Sequence, residues 1–400
     1  MPQIVTLLLF LLTINSVSAQ RLNEDYYRAQ AAMDNNDIDN AISFIDSAIA
    51  ENPRNYLFWL KKGEAYLINQ KYNEALSCFE EAENFRNGIA SYWLARTYAT
   101  MNDPSNALKE LERHLSRIPR ESEATILLDT TFKRLKNTDE WKEFWLNDWY
   151  TPNERFLAEV DYHFSRNEWN YALELLNERL DGKKGRHNLY ALRGEAFYNM
   201  GSYKAAEADF KQALKRNRRN FNYMAWRARA LMQIGRERRA LKLINKAIEQ
   251  SGGKPSYFLH RAQIFGNIDN YGEAVDDLKH YLSFYPRNID AVTLYANYLI
   301  KAGKHIEALF QLGKLIKAHP EKPTYYQLRA NVYMQSSNWN VAEQDINKAL
   351  ELGESTAALY LQRGICRQHL SRIKEACSDW QQAVKLGSFK AQELIYKYCK

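Results

Sequence analysis

Ala172, Ala206, Ala240, Ala274, Ala308, Ala342 and Ala376 follow one another at intervals of 34 residues without a slip. A second track, Gly194, Ala228, Ala262, Ala296, Ala330 and Gly364, keeps the same interval. Two small-residue tracks held in step over half the chain point to one structural unit stacked on copies of itself. The length agrees: 400 residues exceed what one ordinary hydrophobic core organises. In a stacked array each unit needs only its neighbours.

Residues 187–220, HNLYALRGEAFYNMGSYKAAEADFKQALKRNRRN, show what the unit is. Tyr190, Arg193, Gly194 and Phe197 recur at helical spacing, and Gly201-Ser202 marks a turn. Ala206, Phe210, Ala213 and Leu214 then share one face of a second helix. The small Gly194, Ala206 and Ala213 let two helix backbones approach closely, and Phe197 and Phe210 fill what space remains. This helix–turn–helix resembles the tetratricopeptide repeat, with its small residue at position 8, alanines at 20 and 27 and frequent proline at 32. The resemblance covers roughly residues 22–390. It implies an all-α solenoid, a right-handed superhelix of about ten to eleven helix pairs with a C-terminal capping helix.

In that frame, repeats begin near Leu22, Tyr56 and Gly88, forming a three-repeat arm over residues 20–121. Seven more begin near Asn153, His187, Phe221, Pro255, Ile289, Pro323 and Ala357, forming an arm over 153–390, with 391–400 as the cap. His114, Arg179, Tyr281 and Leu315 depart from the second alanine position. Between the arms, residues 122–152 form a degenerate unit. Its first helix is expected from Glu123 to Leu135, and its second places Trp141 where alanine belongs, followed by Trp145 and Trp149. Rings of that size do not fit a close helix crossing without moving the helices apart. Thr151-Pro152-Asn153-Glu154 then restarts the array with a cap, a first-turn proline and a capping-box glutamate. The stretch 141–171 holds four of the nine tryptophans and reads as a joint.

The amino terminus has the form of an export signal. Ile4 to Ile14 is apolar but for two threonines, and Val17-Ser18-Ala19 offers a small-residue cleavage site, so residues 1–19 are expected to be removed. Met1-Pro2-Gln3 departs from the usual pattern in carrying no Lys or Arg. Later segments are too polar to span a bilayer. The run Ala376-Cys377-Ser378-Asp379-Trp380, with Ala383, Leu386-Gly387 and Cys399, resembles the ends of exported tetratricopeptide proteins of Bacteroidota. That likeness implies a periplasmic, cell-envelope or secreted protein. Of the four cysteines, Cys366 and Cys377 are one candidate disulfide, and Cys377 and Cys399 are the competing pair.

Catalysis finds little support. The eight histidines are scattered, and neither HExxH, GxSxG, CxxC nor a phosphate-binding glycine loop occurs. The expectation is a non-enzymatic scaffold without cofactor or metal, holding protein or peptide partners. By resemblance to the family, the inner faces of the first helices form a groove. Here those positions carry Glu195, Tyr198, Asn199, Arg229, Gln233, Gln263, Asn267, Asn297, Asn331 and Gln335. Side-chain amides can hydrogen-bond an extended peptide backbone without reading its sequence. They also suit a merely solvated inner face.

Two other surfaces are candidates. From Lys211 to Lys246 there are twelve Lys or Arg against one acid, Glu237, in a chain whose net charge is only +7. Arg216, Arg218, Arg219, Arg236, Arg238 and Arg239 would then form one basic edge. Such an edge would attract an acidic partner protein or an anionic envelope glycan or lipid, nucleic acid being a poor partner for an exported chain; it equally suits a merely solvated basic face. Trp145, Trp149 and Tyr150 are the candidate aromatic partner site, unless these rings simply fill the joint.

Overall fold

A computed structural model describes residues 23–181 and 186–399. The expected signal segment 1–19 lies outside them. Among the described residues there are 23 α-helices and no strand. Two units are distinguished, residues 23–260 and 261–399.

The first unit opens with three helix pairs: α1 (Glu24–Asp34) and α2 (Ile38–Glu51), α3 (Tyr56–Ile68) and α4 (Tyr72–Phe85), α5 (Ser91–Thr100) and α6 (Pro104–Leu115). Two short helices follow, α7 (Glu123–Leu128) and α8 (Asp139–Phe144). Pairing then resumes with α9 (Pro152–Ser165) and α10 (Trp169–Leu180), α11 (His187–Asn199) and α12 (Tyr203–Arg216), α13 (Phe221–Gln233) and α14 (Glu237–Ser251). Helix α15 (Pro255–Asn267) begins in the first unit, and its partner α16 (Tyr271–Phe284) lies in the second. The second unit continues with α17 (Ile289–Lys301), α18 (His305–Ala318), α19 (Pro323–Gln335), α20 (Trp339–Glu351), α21 (Ala357–His369), α22 (Ile373–Lys385) and α23 (Phe389–Tyr398). The capping helix thus starts two residues earlier than its expected 391, with Ser388 accepting from Ala391 N as its cap.

The alanine tracks are the helix crossings. All seven members of the first, and the four alanines of the second, are wholly inaccessible to solvent. At Gly63, Gly194 and Gly364 the crossing is closer still, and each glycine lies against an aromatic ring 16 residues later: Phe79, Phe210 and Trp380. The preceding arginine repeats this logic in charge. Arg193–Asp209, Arg261–Asp277, Arg329–Asp345 and Arg363–Asp379 are forked ion pairs joining the two helices of one repeat. Arg193 and Arg363 also donate to Asn177 and Asn347 on the second helix of the preceding repeat, both at 2.9 Å. One guanidinium therefore ties three helices.

A third track runs through the turns. Asn167, Gly201, Gly235, Asp269, Gly303, Ser337 and Ser371 all have positive φ, again at intervals of 34. Each ends a first helix in the left-handed conformation that lets the chain reverse. Chemistry varies along this track while backbone geometry does not.

The joint differs from its expected form. Helix α7 stops at Leu128, not Leu135, because Asp129 is extended (φ −65°, ψ 119°). Its carboxylate accepts from Tyr92 Oη (2.8 Å) and Thr131 N (2.9 Å) and pairs with Arg96 (2.8 Å). Two 3-10 turns, Thr130–Phe132 and Leu135–Asn137, carry the chain into α8. Trp141 does not wedge two long helices apart. It is buried in a core with Leu111, Leu115, Ile126, Phe132 and Leu135, so the ring takes the space a full helix pair would have used.

Candidate functional site

The inner faces of the first helices were the leading candidate, and in the first unit they carry charge. Arg229 is half-buried on α13, with its guanidinium 4.6 Å from the Tyr198 ring centroid and 4.2 Å from that of Trp226. One repeat earlier stands Glu195, also half-buried, and one repeat before that Asp161 on α9. Among the described residues neither carboxylate has a hydrogen-bond or ion-pair partner. Burial pushes Asp161 up to about 7. Burial likewise raises Glu195 to about 7, Arg229 working against the rise and Asp161 adding to it. These groups therefore titrate near neutrality.

His260, on the first turns of α15, faces the same charge. Burial first, then Arg229 and Lys254, lower it to about 3, and its Nδ1 is enclosed without a partner. Asn199 and Gln233 are exposed, Asn199 donating to the Glu195 carbonyl at 3.0 Å. Tyr198 meets Tyr203 and Trp226 edge-on. The sequence reading missed Asp161, Trp226 and His260. Asp161 was within reach, being Glu195 displaced by one 34-residue period.

In the second unit Gln263, Asn297 and Asn331 are half-buried, while Asn267 and Gln335 are exposed. The amides partly satisfy one another. Gln362 donates to Asn331 Oδ1 at 2.5 Å and accepts from Gln327 at 3.4 Å, linking α19 to α21. This face is polar but less charged.

The basic residues do not form one edge. Arg216, Arg218 and Arg219 lie before α13, whereas Arg236, Arg238 and Arg239 lie after it. A 13-residue helix separates the groups by about 20 Å. All six are exposed, and Arg216 rests on Tyr190 at 4.6 Å.

The aromatic candidates are largely structural. Tyr150 is buried; its hydroxyl donates to Glu121 O at 2.9 Å, and Arg120 lies over its ring. Trp149 stacks on Phe144 and donates to its carbonyl at 3.0 Å, and Trp145 packs edge-on against Trp141 and Phe144. Tyr150 is therefore no exposed anchor. The exposed large apolar side chains of this stretch are Leu146, Tyr162 and Tyr171.

Cys377 and Cys399 are joined, with Cα atoms 5.8 Å apart, which fastens α23 to α22. The alternative Cys366–Cys377 pairing is not formed, and Cys366 is a buried free thiol. Its helix position turns it toward the preceding repeat, among Tyr326, Ile346 and Leu359.

Residues 26–89 and 192–255 match the family model described as tetratricopeptide repeat. Human tetratricopeptide repeat protein 16 is 25% identical over 182 residues, which cover 41% of this chain and 21% of that protein. Human RNA polymerase II-associated protein 3 is 33% identical over 103 residues, covering 25% of this chain and 16% of that one. The chain thus spans about a fifth or less of these relatives. A solved tetratricopeptide repeat protein from Parabacteroides merdae is 21% identical, with a TM-score of 0.47 over 62% of this chain and 98% of its own. The C-terminal part of a repeat protein from Cytophaga hutchinsonii is 16% identical, with a TM-score of 0.48 over 59% and 98%. Residues 26–89 and 192–255 carry tetratricopeptide repeats, and the described residues form an all-α solenoid of helix pairs.

Among the described residues no helix is long and apolar enough to cross a membrane, and no group of three or more His, Cys, Asp or Glu is placed to hold a metal ion.

Proposed function

We propose that this chain is a non-enzymatic scaffold of the bacterial cell envelope that holds an extended segment of a partner protein against the inner helix faces of its first unit. The observation that carries the reading is the column Asp161, Glu195 and Arg229. Two half-buried carboxylates are kept without a donor, beside an arginine stacked on rings instead of paired with an acid. A fold gains nothing from leaving such charges uncompensated, and a ligand that supplies their partners would. Asn199 and Gln233 add exposed amides for a peptide backbone. Export rests on the apolar run at 4–14 and the small residues at 17–19. The likeness of the C-terminal run to exported proteins of Bacteroidota points to the same compartment.

The polyanion reading loses its single edge, yet six exposed arginines remain. Salt titration of a partner recovered by in-cell cross-linking separates the two. Inner-face binding is weakened by Arg229→Ala and by Glu195→Gln, and survives Arg218→Glu with Arg239→Glu. A complex destroyed by that charge-reversed pair and untouched by the inner-face changes would overturn the proposal.

A further inference from the structure

The inner face of the first unit has an order of charge as well as an amount. Asp161, Glu195 and Arg229 stand 34 residues apart, at one register of the consecutive first helices α9, α11 and α13. Acid, acid and base therefore follow one another at the spacing of packed helices, about 10 Å. Glu195 feels both neighbours, Arg229 favouring its ionisation and Asp161 opposing it. Among the described residues none of the three side chains has a hydrogen-bond or ion-pair partner.

The two ends of this column call for opposite chemistry. At the acidic end the open groups are all acceptors: the two carboxylates and, about two turns before Glu195 on α11, the amide oxygen of Asn188, enclosed without a donor. A ligand there must bring positive charge together with N–H donors, which a lysine ammonium or an arginine guanidinium does. At the other end Arg229 lies over Trp226 and Tyr198, 4.2 and 4.6 Å from their ring centroids. Among the described residues no acceptor takes its N–H donors, so the fork is open to a carboxylate, which it can grip with two parallel bonds.

We propose that the segment held on this face is charge-patterned: a lysine or arginine side chain pairs with Asp161 and Glu195, and an aspartate or glutamate further along the segment meets Arg229. This rests on the inner-face reading given above and adds to it the chemistry of the partner. The fold sets the interval between the two charges. An extended chain advances about 3.3 Å per residue, its side chains alternating in direction, so one helix spacing of about 10 Å places two same-facing side chains about two to four residues apart. A segment offering amides alone would leave both carboxylates half-buried and unpaired. An incoming cation instead meets acceptors whose desolvation is already part of the fold.

Random dodecapeptides displayed on phage, panned against the full chain at about pH 8, test the pattern. Enriched peptides are expected to carry a Lys or Arg with an Asp or Glu about two to four positions away. Labelled copies should bind about tenfold weaker or worse to Asp161→Asn with Glu195→Gln, and to Arg229→Ala, as charge-assisted bonds are lost. The neutralised pair is isosteric and removes unpaired charge, so unfolding does not account for its loss of binding. Panning against each variant separates the two ends: the neutralised pair should drop the preference for the base and keep that for the acid, and Arg229→Ala the reverse. Peptides that photo-cross-link from Asn199 yet show no basic residue, or bind the neutralised pair unchanged, would overturn the charge pattern and leave the inner-face reading standing. Peptides captured only from exposed Lys211 on the second helix α12, or no enrichment at all, would overturn both.

Discussion

Arg120 and Glu154 stand one repeat length apart in sequence and are joined by a forked ion pair, Nε to Oε1 at 2.9 Å and Nη2 to Oε2 at 2.8 Å. The same carboxylate closes the capping box of α9 with Thr151. Arg120 also donates to the Leu115 carbonyl and lies over Tyr150. One side chain thus binds the end of the first arm to the start of the second, and the tryptophan-lined segment packs beside that weld.

Loss of this weld is measurable. Arg120→Met leaves Glu154 without its fork, and a double-mutant cycle with Glu154→Gln should give a coupling of about 1–2 kcal/mol. Burial pushes Glu154 up, but the bonds from Arg120 and Thr151 outweigh it and hold the carboxyl below its ordinary range. A depressed carboxylate stabilises fully above its unfolded value of about 4.3 and loses that contribution as pH falls through the folded one. The coupling should accordingly fade under acid. A coupling independent of pH would contradict this.

Two glycines of the same repeat position should answer alanine differently. Alanine is favoured over glycine in a helix by about 1 kcal/mol. At Gly194 the new methyl would lie 3.2 Å from the Phe210 ring, a tight but yielding contact, so the net change should be within about 0.5 kcal/mol of zero. At Gly364 it would run into the indole of Trp380, which is wholly buried. Overpacking of about 1–3 kcal/mol then exceeds the propensity gain, and Gly364→Ala should destabilise. Urea titration of both variants decides it.

Asp161 and Glu195 should cost stability at neutral pH. Their folded values near 7 lie above the unfolded ones, so the folded state holds extra protons between about pH 4 and 7. Stability from these groups therefore falls as pH rises through that window. Asp161→Asn with Glu195→Gln should raise stability at pH 8 and change it little at pH 4. His114 and His260 work in the opposite sense, being held neutral with values of about 4 and 3. Their contribution is lost as pH falls below about 6.5, and it cancels when variant and parent are compared at one pH.

Reduction should loosen the far end of the chain. The Cys377–Cys399 bridge closes a separation of 22 residues, for which loop-closure entropy gives about 3 kcal/mol. Hydrogen exchange in α22 and α23 should accelerate on reduction or in Cys399→Ser, while α9 to α14 stay protected. Uniform acceleration would show that the bridge acts on more than the cap.

Much of the fold was legible because packing repeats in one currency. Close helix crossings admit only small residues, so Ala206 and its counterparts declare themselves at every turn of the array. The Arg–Asp forks were hidden by gaps: Tyr295 and Leu243 interrupt their tracks, and Arg227 pairs with Glu207 instead. The positive-φ track was hidden because Asn, Gly, Asp and Ser all satisfy one backbone requirement. The joint was misread at Asp129, where capture of its carboxylate by Tyr92 and Arg96 broke a helix that propensity alone would continue. The basic residues misled because adjacency in sequence is not adjacency across α13. His114 looked like a failed alanine, yet it is buried beside Tyr92 and accepts from Glu121 N at 2.8 Å, holding the turn into the joint.

The claim that the inner helix faces of the first unit hold a partner segment is tested most directly by placing a photo-cross-linking residue in vivo, one position at a time. The inner positions are Glu195, Asn199 and Gln233; the controls are Glu178, Lys211 and Lys242 on the second helices, all exposed. One partner captured from the inner positions, absent from the controls, and lost when Arg229→Ala is added is the expected result. Capture confined to the second-helix positions, or unaffected by Arg229→Ala, would contradict the claim.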